Sequence, residues 1–108
     1  MIFIVVKFPV RPDKADEWEE LATDYARAVN SEEGCFFYDW HRTVADPNEW
    51  VCTEGFRDQD AAVAHVNSDA FKHFVDVMPD IVSGHPQIIN TRIDEGFGPM
   101  GEIAPRNA

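Results

Sequence analysis

The chain has 108 residues, 44% of them hydrophobic and 27% charged, which predicts one small folded domain rather than a disordered chain. Its formal net charge of −11 argues against nucleic acid and against an anionic membrane as partners, because both require a basic protein surface. No apolar run approaches the length of a membrane span, and residues 1–10 lack the charged leader and cleavage site of a signal peptide. We therefore expect a cytoplasmic protein.

The first third of the chain predicts a strand followed by an amphipathic helix. Residues 2–8 are mostly β-branched or aromatic and are apolar at consecutive positions, which predicts a strand covered on both faces. Apolar residues then recur at helical spacing as far as Val29, and Asp13 is the predicted N-cap of this helix. Gly34 ends the segment, because glycine suits a position that needs a positive φ.

The middle of the chain predicts an antiparallel hairpin. Residues 35–43 and 50–56 have the composition of two strands. Between them, Asp46, Pro47 and Asn48 predict a turn, because proline presets φ while Asp and Asn side chains bond their own backbone.

The last third predicts a helix and a final strand. Asp58 is the predicted cap of one continuous helix over residues 59–75, and residues 87–93 form the predicted fourth strand. The order β-α-β-β-α-β predicts a ferredoxin-like α+β fold with an antiparallel four-stranded sheet. We expect this domain to span residues 1–94, with residues 95–108 as a C-terminal arm or flexible tail.

The predicted fold carries helices on one face of its sheet only. The first strand indicates that the opposite face is also apolar, and an exposed apolar face requires a cover. The simplest cover is the same face of a second copy, so we predict a homodimer with the form of a dimeric α/β barrel.

Three ionisable residues are candidates for chemistry. His65 lies on the helix stripe that faces the sheet, where it is either a satisfied core residue or a general base that titrates near neutral pH. Glu54 and Asp39 are acids within apolar strands, and a buried strand carboxyl would have a raised pKa. The sequence does not fix the register that decides whether Glu54 shares its face with Asp39 or with Tyr38 and Trp40.

Aromatic side chains are unusually frequent on the same elements. They predict either core packing or the wall of a ligand pocket. The rings concerned are Phe36, Phe37, Tyr38, Trp40, Trp50, Phe56, Phe71 and Phe74. The sequence has no glycine-rich phosphate loop or dinucleotide fingerprint, and its histidines lack metal-ligand spacing, so we expect no cofactor and no metal.

The chain resembles the antibiotic biosynthesis monooxygenase family of dimeric α+β barrels over residues 2–93. The resemblance rests on the order and spacing of short matches. These are Glu33-Gly34-Cys35, Asp46-Pro47, Thr53-Glu54-Gly55-Phe56 running into Arg57-Asp58, and His65 followed by Ser68 and Phe71. It implies a cofactor-independent monooxygenase that oxidises a small aromatic quinol or anthrone with O2.

The resemblance also implies roles for particular residues. His65 is the expected base and Glu54 an auxiliary acid. The expected substrate-binding rings are Tyr38, Trp40, Trp50, Phe71 and Phe74. Two alternatives stay open: an isomerase of a small phosphorylated metabolite on the same fold, and a non-catalytic dimeric ligand-binding module.

Overall fold

The computed structural model describes residues 1–106. These residues form four strands and three helices, with a short 3₁₀ turn before the first helix and another after the third. The elements are β1 (Ile2–Pro9), α1 (Ala15–Asn30), β2 (Cys35–Arg42), β3 (Glu49–Phe56), α2 (Gln59–Val66), α3 (Asp69–Val77) and β4 (Gln87–Arg92). Within residues 1–106, no helix is long and apolar enough to cross a membrane.

The predicted arm follows β4. Residues 95–106 contain neither helix nor strand, and residues 107 and 108 lie outside the described part of the chain. Phe97 packs on Phe37 with ring centroids 5.1 Å apart, so this segment returns to the sheet. The division between domain and arm stays a prediction.

The four strands form one antiparallel sheet in the order β2-β3-β1-β4. This order confirms the ferredoxin-like α+β prediction. The register pairs Tyr38 with Glu54 and Trp40 with Cys52. Because side chains alternate along a strand, Glu54 shares its face with Tyr38 and Trp40, and Asp39 points to the other face.

The face that carries Glu54, here called the inner face, packs against the helices. On β1 the inner-face residues are all buried: Ile2, Ile4, Val6 and Phe8. Trp18 of α1 and Phe56 of β3 complete the centre of the core without any exposed surface. On the outer face, Phe3 and Val5 are half-buried and Lys7 is exposed, so a single chain covers β1 fully on the inner face only.

The prediction of one continuous helix over residues 59–75 was wrong. The helix breaks between α2 and α3 at Asn67 and Ser68. Ser68 adopts an extended backbone, and its hydroxyl accepts a hydrogen bond from the Phe71 N–H, which starts a new helix. The helical periodicity of the sequence continues across this break and therefore hides it.

Of the two predicted caps, one was wrong and one is confirmed. Asp13 lies in a 3₁₀ turn (Pro12–Lys14) and makes a 2.8 Å ion pair with Arg11, so α1 has no side-chain cap. Asp58 accepts a hydrogen bond from the Ala61 N–H at 2.9 Å and caps α2.

The loop between α1 and β2 depends on Gly34. This residue has a φ of 80°, as predicted, and a Cβ atom there would lie 2.6 Å from the Cβ of Ala61 on α2. The Arg57 N–H also donates a 2.8 Å hydrogen bond to the Gly34 carbonyl. Glycine therefore lets this loop pack directly against the first turn of α2.

Candidate active site

A cavity of about 730 Å³ lies between the inner face of the sheet and α3. It extends under β1 and β4 and along the segment that links α3 to β4. Its walls are mostly apolar, and exposed residues such as His85 and Asn90 surround its mouth. This volume lies within the range of pockets that bind small organic ligands.

His65 lines the deep end of the cavity. Its imidazole stacks on Phe56 with ring centroids 4.8 Å apart, and Phe71 meets it edge-on at 5.3 Å. Only 4% of the residue is exposed. The two aromatic neighbours therefore fix the plane of the ring and leave its two nitrogen edges for polar contacts.

The two nitrogens of His65 meet different partners. Nδ1 lies 2.8 Å from Oε1 of Glu32, which belongs to the loop after α1. Nε2 lies 3.4 Å from the hydroxyl of Tyr25 and 3.8 Å from Oε1 of Glu54. Tyr25 and Glu54 line the cavity together with His65, so the Nε2 edge of the ring faces the cavity.

Glu54 is a buried carboxyl on β3. Burial raises its pKa to about 7, the thiol of Cys52 opposes this rise by donating a 3.3 Å hydrogen bond, and the charge of Glu32 raises the pKa further. Glu54 is therefore largely protonated below neutral pH, because a buried carboxylate has lost its hydration. A protonated carboxyl can donate a hydrogen bond to an oxygen atom of a ligand.

Tyr25 and Tyr38 place two more hydroxyl groups on the cavity wall. Burial raises the pKa of both phenols well above the ordinary value, and the charges of Glu54 and Glu32 add to the rise for Tyr25. Both phenols are therefore neutral. Tyr25 also stacks flat on Phe74, with centroids 4.0 Å apart and an interplanar angle of 8°.

The structure brings together five of the seven residues predicted for the site. His65, Glu54, Tyr38, Phe71 and Phe74 all line the cavity. Their convergence follows from the register of the hairpin and from the packing of α2 and α3 over it.

Trp40 and Trp50 do not line this cavity. They border a separate groove beside α1, where Trp40 packs edge-on against Trp18 at 4.8 Å and Arg42 lies 4.5 Å over the Trp50 ring. Trp40 lies two positions after Tyr38 on β2, and Trp50 lies four positions before Glu54 on β3. Both rings are therefore displaced along the sheet from Glu54, towards the turn that joins β2 to β3. A ligand in the cavity would therefore not touch either ring.

Two polar residues that contact His65 were not predicted for the site. Glu32 is one of two adjacent acids before Gly34, and Tyr25 belongs to the apolar stripe of α1. Nothing local distinguishes Glu32 from its exposed neighbour Glu33, since only the tertiary fold brings it to His65. For Tyr25, the available signal was a phenol hydroxyl within the apolar stripe of α1.

The positions of the Lys and Arg side chains bear on which ligands the cavity could bind. Among the described residues, no Lys or Arg lines it. Arg11, Arg42 and Arg57 instead form ion pairs with acidic residues at the surface. Residues 1–106 also contain no group of three His, Cys, Asp or Glu side chains arranged to hold a metal ion.

The family model for antibiotic biosynthesis monooxygenase matches residues 1–77. The chain belongs to this family. Membership indicates a monooxygenase-like or ligand-binding function, and it confirms the resemblance seen in the sequence.

The chain is also similar to individual proteins and to solved structures. The uncharacterized protein sll1783 of Synechocystis is 27% identical over 94 residues, which are 87% of this chain but 64% of that protein, so the chain spans less than two thirds of its length. YcnE, a proposed monooxygenase of Bacillus subtilis, is 26% identical over 95 residues, which are 88% of this chain and 100% of YcnE. A crystal structure of a proposed antibiotic biosynthesis monooxygenase from Caulobacter crescentus is 29% identical, with a TM-score of 0.82, covering 87% of this chain and 90% of that one.

Proposed function

We propose that this protein is a cofactor-independent monooxygenase that oxidises a small aromatic anthrone or quinol with O2. The observation that carries the proposal is the buried imidazole of His65, whose Nε2 edge faces an apolar cavity. Family membership supports the same class of reaction.

The reaction begins with removal of a proton from the bound ring system. For an anthrone, Nε2 of His65 accepts a proton from the methylene carbon, and the resulting anion is delocalised over the rings. The anion then transfers one electron to O2, and the substrate radical and superoxide combine to form a peroxide on that carbon. Protonation of the peroxide, loss of the second C–H proton and departure of hydroxide give the quinone and one molecule of water.

The cavity favours each of these steps. Its apolar wall excludes water from the anion and positions a flat ring system beside the imidazole. The hydroxyl of Tyr25 and protonated Glu54 can donate hydrogen bonds to an oxygen of the substrate anion. The hydroxyl of Tyr25 lies 3.4 Å from Nε2, at the position that the acidic group of the substrate would take.

An isomerase acting on a phosphorylated metabolite has weaker support. A phosphate group is bound most strongly by cationic side chains, and among the described residues neither Lys nor Arg lines the cavity. Ionised Glu54 would also repel a phosphate. The third candidate function is a binding module without turnover. An assay of O2 consumption distinguishes it from the monooxygenase.

The proposal includes a twofold homodimer joined through the outer face of the sheet. Phe3, Val5 and Phe37 are half-buried there, and Ile89 is 67% exposed. Pairing of this face with a second copy would cover these side chains. Sedimentation at micromolar concentration should give twice the 12.3 kDa of one chain, and a particle of 12.3 kDa would exclude the dimer.

O2 consumption in the presence of dithranol, an anthrone, tests the activity. We expect catalysed uptake, and a loss of about a hundredfold or more in His65→Ala, the usual contribution of a general base. His73→Ala is the matched control, because His73 lies exposed on α3 and does not line the cavity. Binding of dithranol without uptake would favour the binding module instead, provided that circular dichroism shows all variants folded.

A further inference from the structure

Glu32 contacts His65 from the side of the ring that faces away from the cavity. Its Oε1 lies 2.8 Å from Nδ1, whereas Tyr25 and Glu54 meet Nε2 within the cavity. Glu32 does not line the cavity, and its side chain is 19% exposed, against 5% for that of His65. Glu32 therefore reaches the imidazole without being able to touch a bound ligand.

The two acids that flank the imidazole differ in geometry. At 2.8 Å, an ionised Glu32 accepts a hydrogen bond from the Nδ1–H. At 3.8 Å, Glu54 is too far from Nε2 for a direct hydrogen bond. A neutral imidazole carries one N–H proton, so a proton held on Nδ1 leaves Nε2 as the acceptor, which faces the Tyr25 hydroxyl at 3.4 Å.

We infer that Glu32 is the positioning residue for His65, holding the ring proton on Nδ1 so that the lone pair of Nε2 faces the cavity. This inference rests on the proposed function, in which Nε2 accepts the substrate proton. When that proton arrives, Nδ1 keeps its own, and the ring becomes an imidazolium whose charge the carboxylate of Glu32 offsets. The imidazolium later returns the accepted proton to the peroxide, so the pair ends the cycle unchanged.

The fold explains how this contact forms. Gly34 lets the loop after α1 pack against Ala61 on the first turn of α2. His65 follows Ala61 by four residues, which places it one helical turn further along the same face of α2. The close packing at Gly34 thus brings Glu32, two residues earlier in the loop, to the level of the imidazole.

Two variants of Glu32 separate its charge from its hydrogen bond. Glu32→Ala removes both, while Glu32→Gln retains an oxygen that can accept from Nδ1–H and removes the charge. Glu33→Ala is the control, because the adjacent Glu33 side chain is 93% exposed and pairs with Arg57 rather than with the imidazole.

The tautomer of His65 can be measured without any substrate. Protein labelled with ¹⁵N in its histidines, with the His65 signals assigned by their loss in His65→Gln, reports which ring nitrogen carries the proton. We expect Nδ1–H in the wild type, in Glu33→Ala and in Glu32→Gln, and loss of this preference in Glu32→Ala. An Nε2–H tautomer in the wild type, or an unchanged tautomer in Glu32→Ala, would overturn the inference.

Kinetics with dithranol provide the second readout. Because Glu32 does not touch the ligand site, Glu32→Ala should lower kcat by about tenfold or more and leave KM nearly unchanged, and Glu32→Gln should fall between it and the wild type. Equal kcat values for Glu32→Ala and Glu33→Ala would overturn the inference. If the wild type consumes no O2, the monooxygenase proposal fails, while the spectra still decide whether Glu32 sets the tautomer.

Discussion

Replacing Glu54 with Gln should remove a pH dependence from the stability of the fold. Burial raises the pKa of Glu54 to about 7 in the folded protein, against an ordinary pKa of 4.5 for the exposed carboxyl in the unfolded chain. The difference is about 2.5 pH units, and each unit corresponds to about 1.4 kcal/mol, so ionising Glu54 in the folded state costs about 3 kcal/mol more than in the unfolded state.

The sign of the effect follows from proton binding. The folded protein holds the Glu54 proton more tightly, so this stabilising contribution is fully present below about pH 4.5 and decreases as the pH rises. It is lost once the pH passes about 7. Glutamine has nearly the same shape and does not ionise, so Glu54→Gln lacks this contribution to the pH dependence.

Urea unfolding at fixed protein concentration measures the effect. Between about pH 4.5 and pH 8, the free energy of unfolding of the wild type should fall by about 3 kcal/mol relative to that of Glu54→Gln. Glu20→Gln, an exposed change of the same charge, should follow the wild type. Parallel pH profiles for the wild type and Glu54→Gln would refute the argument that burial keeps this carboxyl protonated.

Three further substitutions test the fold and the cavity. Gly34→Ala should destabilise the protein by more than about 1 kcal/mol in urea unfolding, because its φ is 80° and the new Cβ would meet Ala61 at 2.6 Å, and an unchanged midpoint would contradict this packing. Asp58→Ala should lower the free energy of unfolding by about 1 kcal/mol through loss of the α2 cap, and no change would show that the cap is dispensable. Val75→Trp should raise KM for dithranol at unchanged stability, because Val75 lines the cavity yet is 52% exposed, and an unchanged KM would place the ligand elsewhere.

Much of the fold could be predicted because local signals and the global arrangement agree. The turn at Asp46 formed as expected, with the Asn48 N–H donating to the Asp46 carboxylate at 3.0 Å. Gly34 and Asp58 likewise have the conformation and the cap that their residue types favour. These features depend on a few neighbouring residues, so the sequence alone contains the information.

The errors arose where the same residue type fits two local structures. Asp13 could cap a helix or pair with Arg11, and the ion pair was formed. Ser68 could continue a helix or start one, and both outcomes fit the same apolar periodicity. In both cases the sequence pattern was compatible with two local structures.

The residues of the site could be predicted only where the periodicity of a strand or helix fixes the direction of their side chains. His65 and Glu54 were found because ionisable groups in apolar stripes are conspicuous. Their meeting at 3.8 Å depends on Glu54 lying on the inner face, and a one-residue slip of the hairpin register would move it to the outer face. Glu32 lies 33 positions before His65, and its contact with the ring arises only from loop packing, which no periodicity reports.

A crystal structure of the protein soaked with an anthraquinone, which resembles the expected product and cannot be oxidised further, tests the central claim most directly. The account predicts that the flat ring system lies between the inner face of the sheet and α3, with an oxygen within hydrogen-bond distance of the Tyr25 hydroxyl or the Glu54 carboxyl. An anthraquinone bound in the groove beside Trp40 and Trp50, or a cavity that stays unoccupied at saturating ligand, would contradict it.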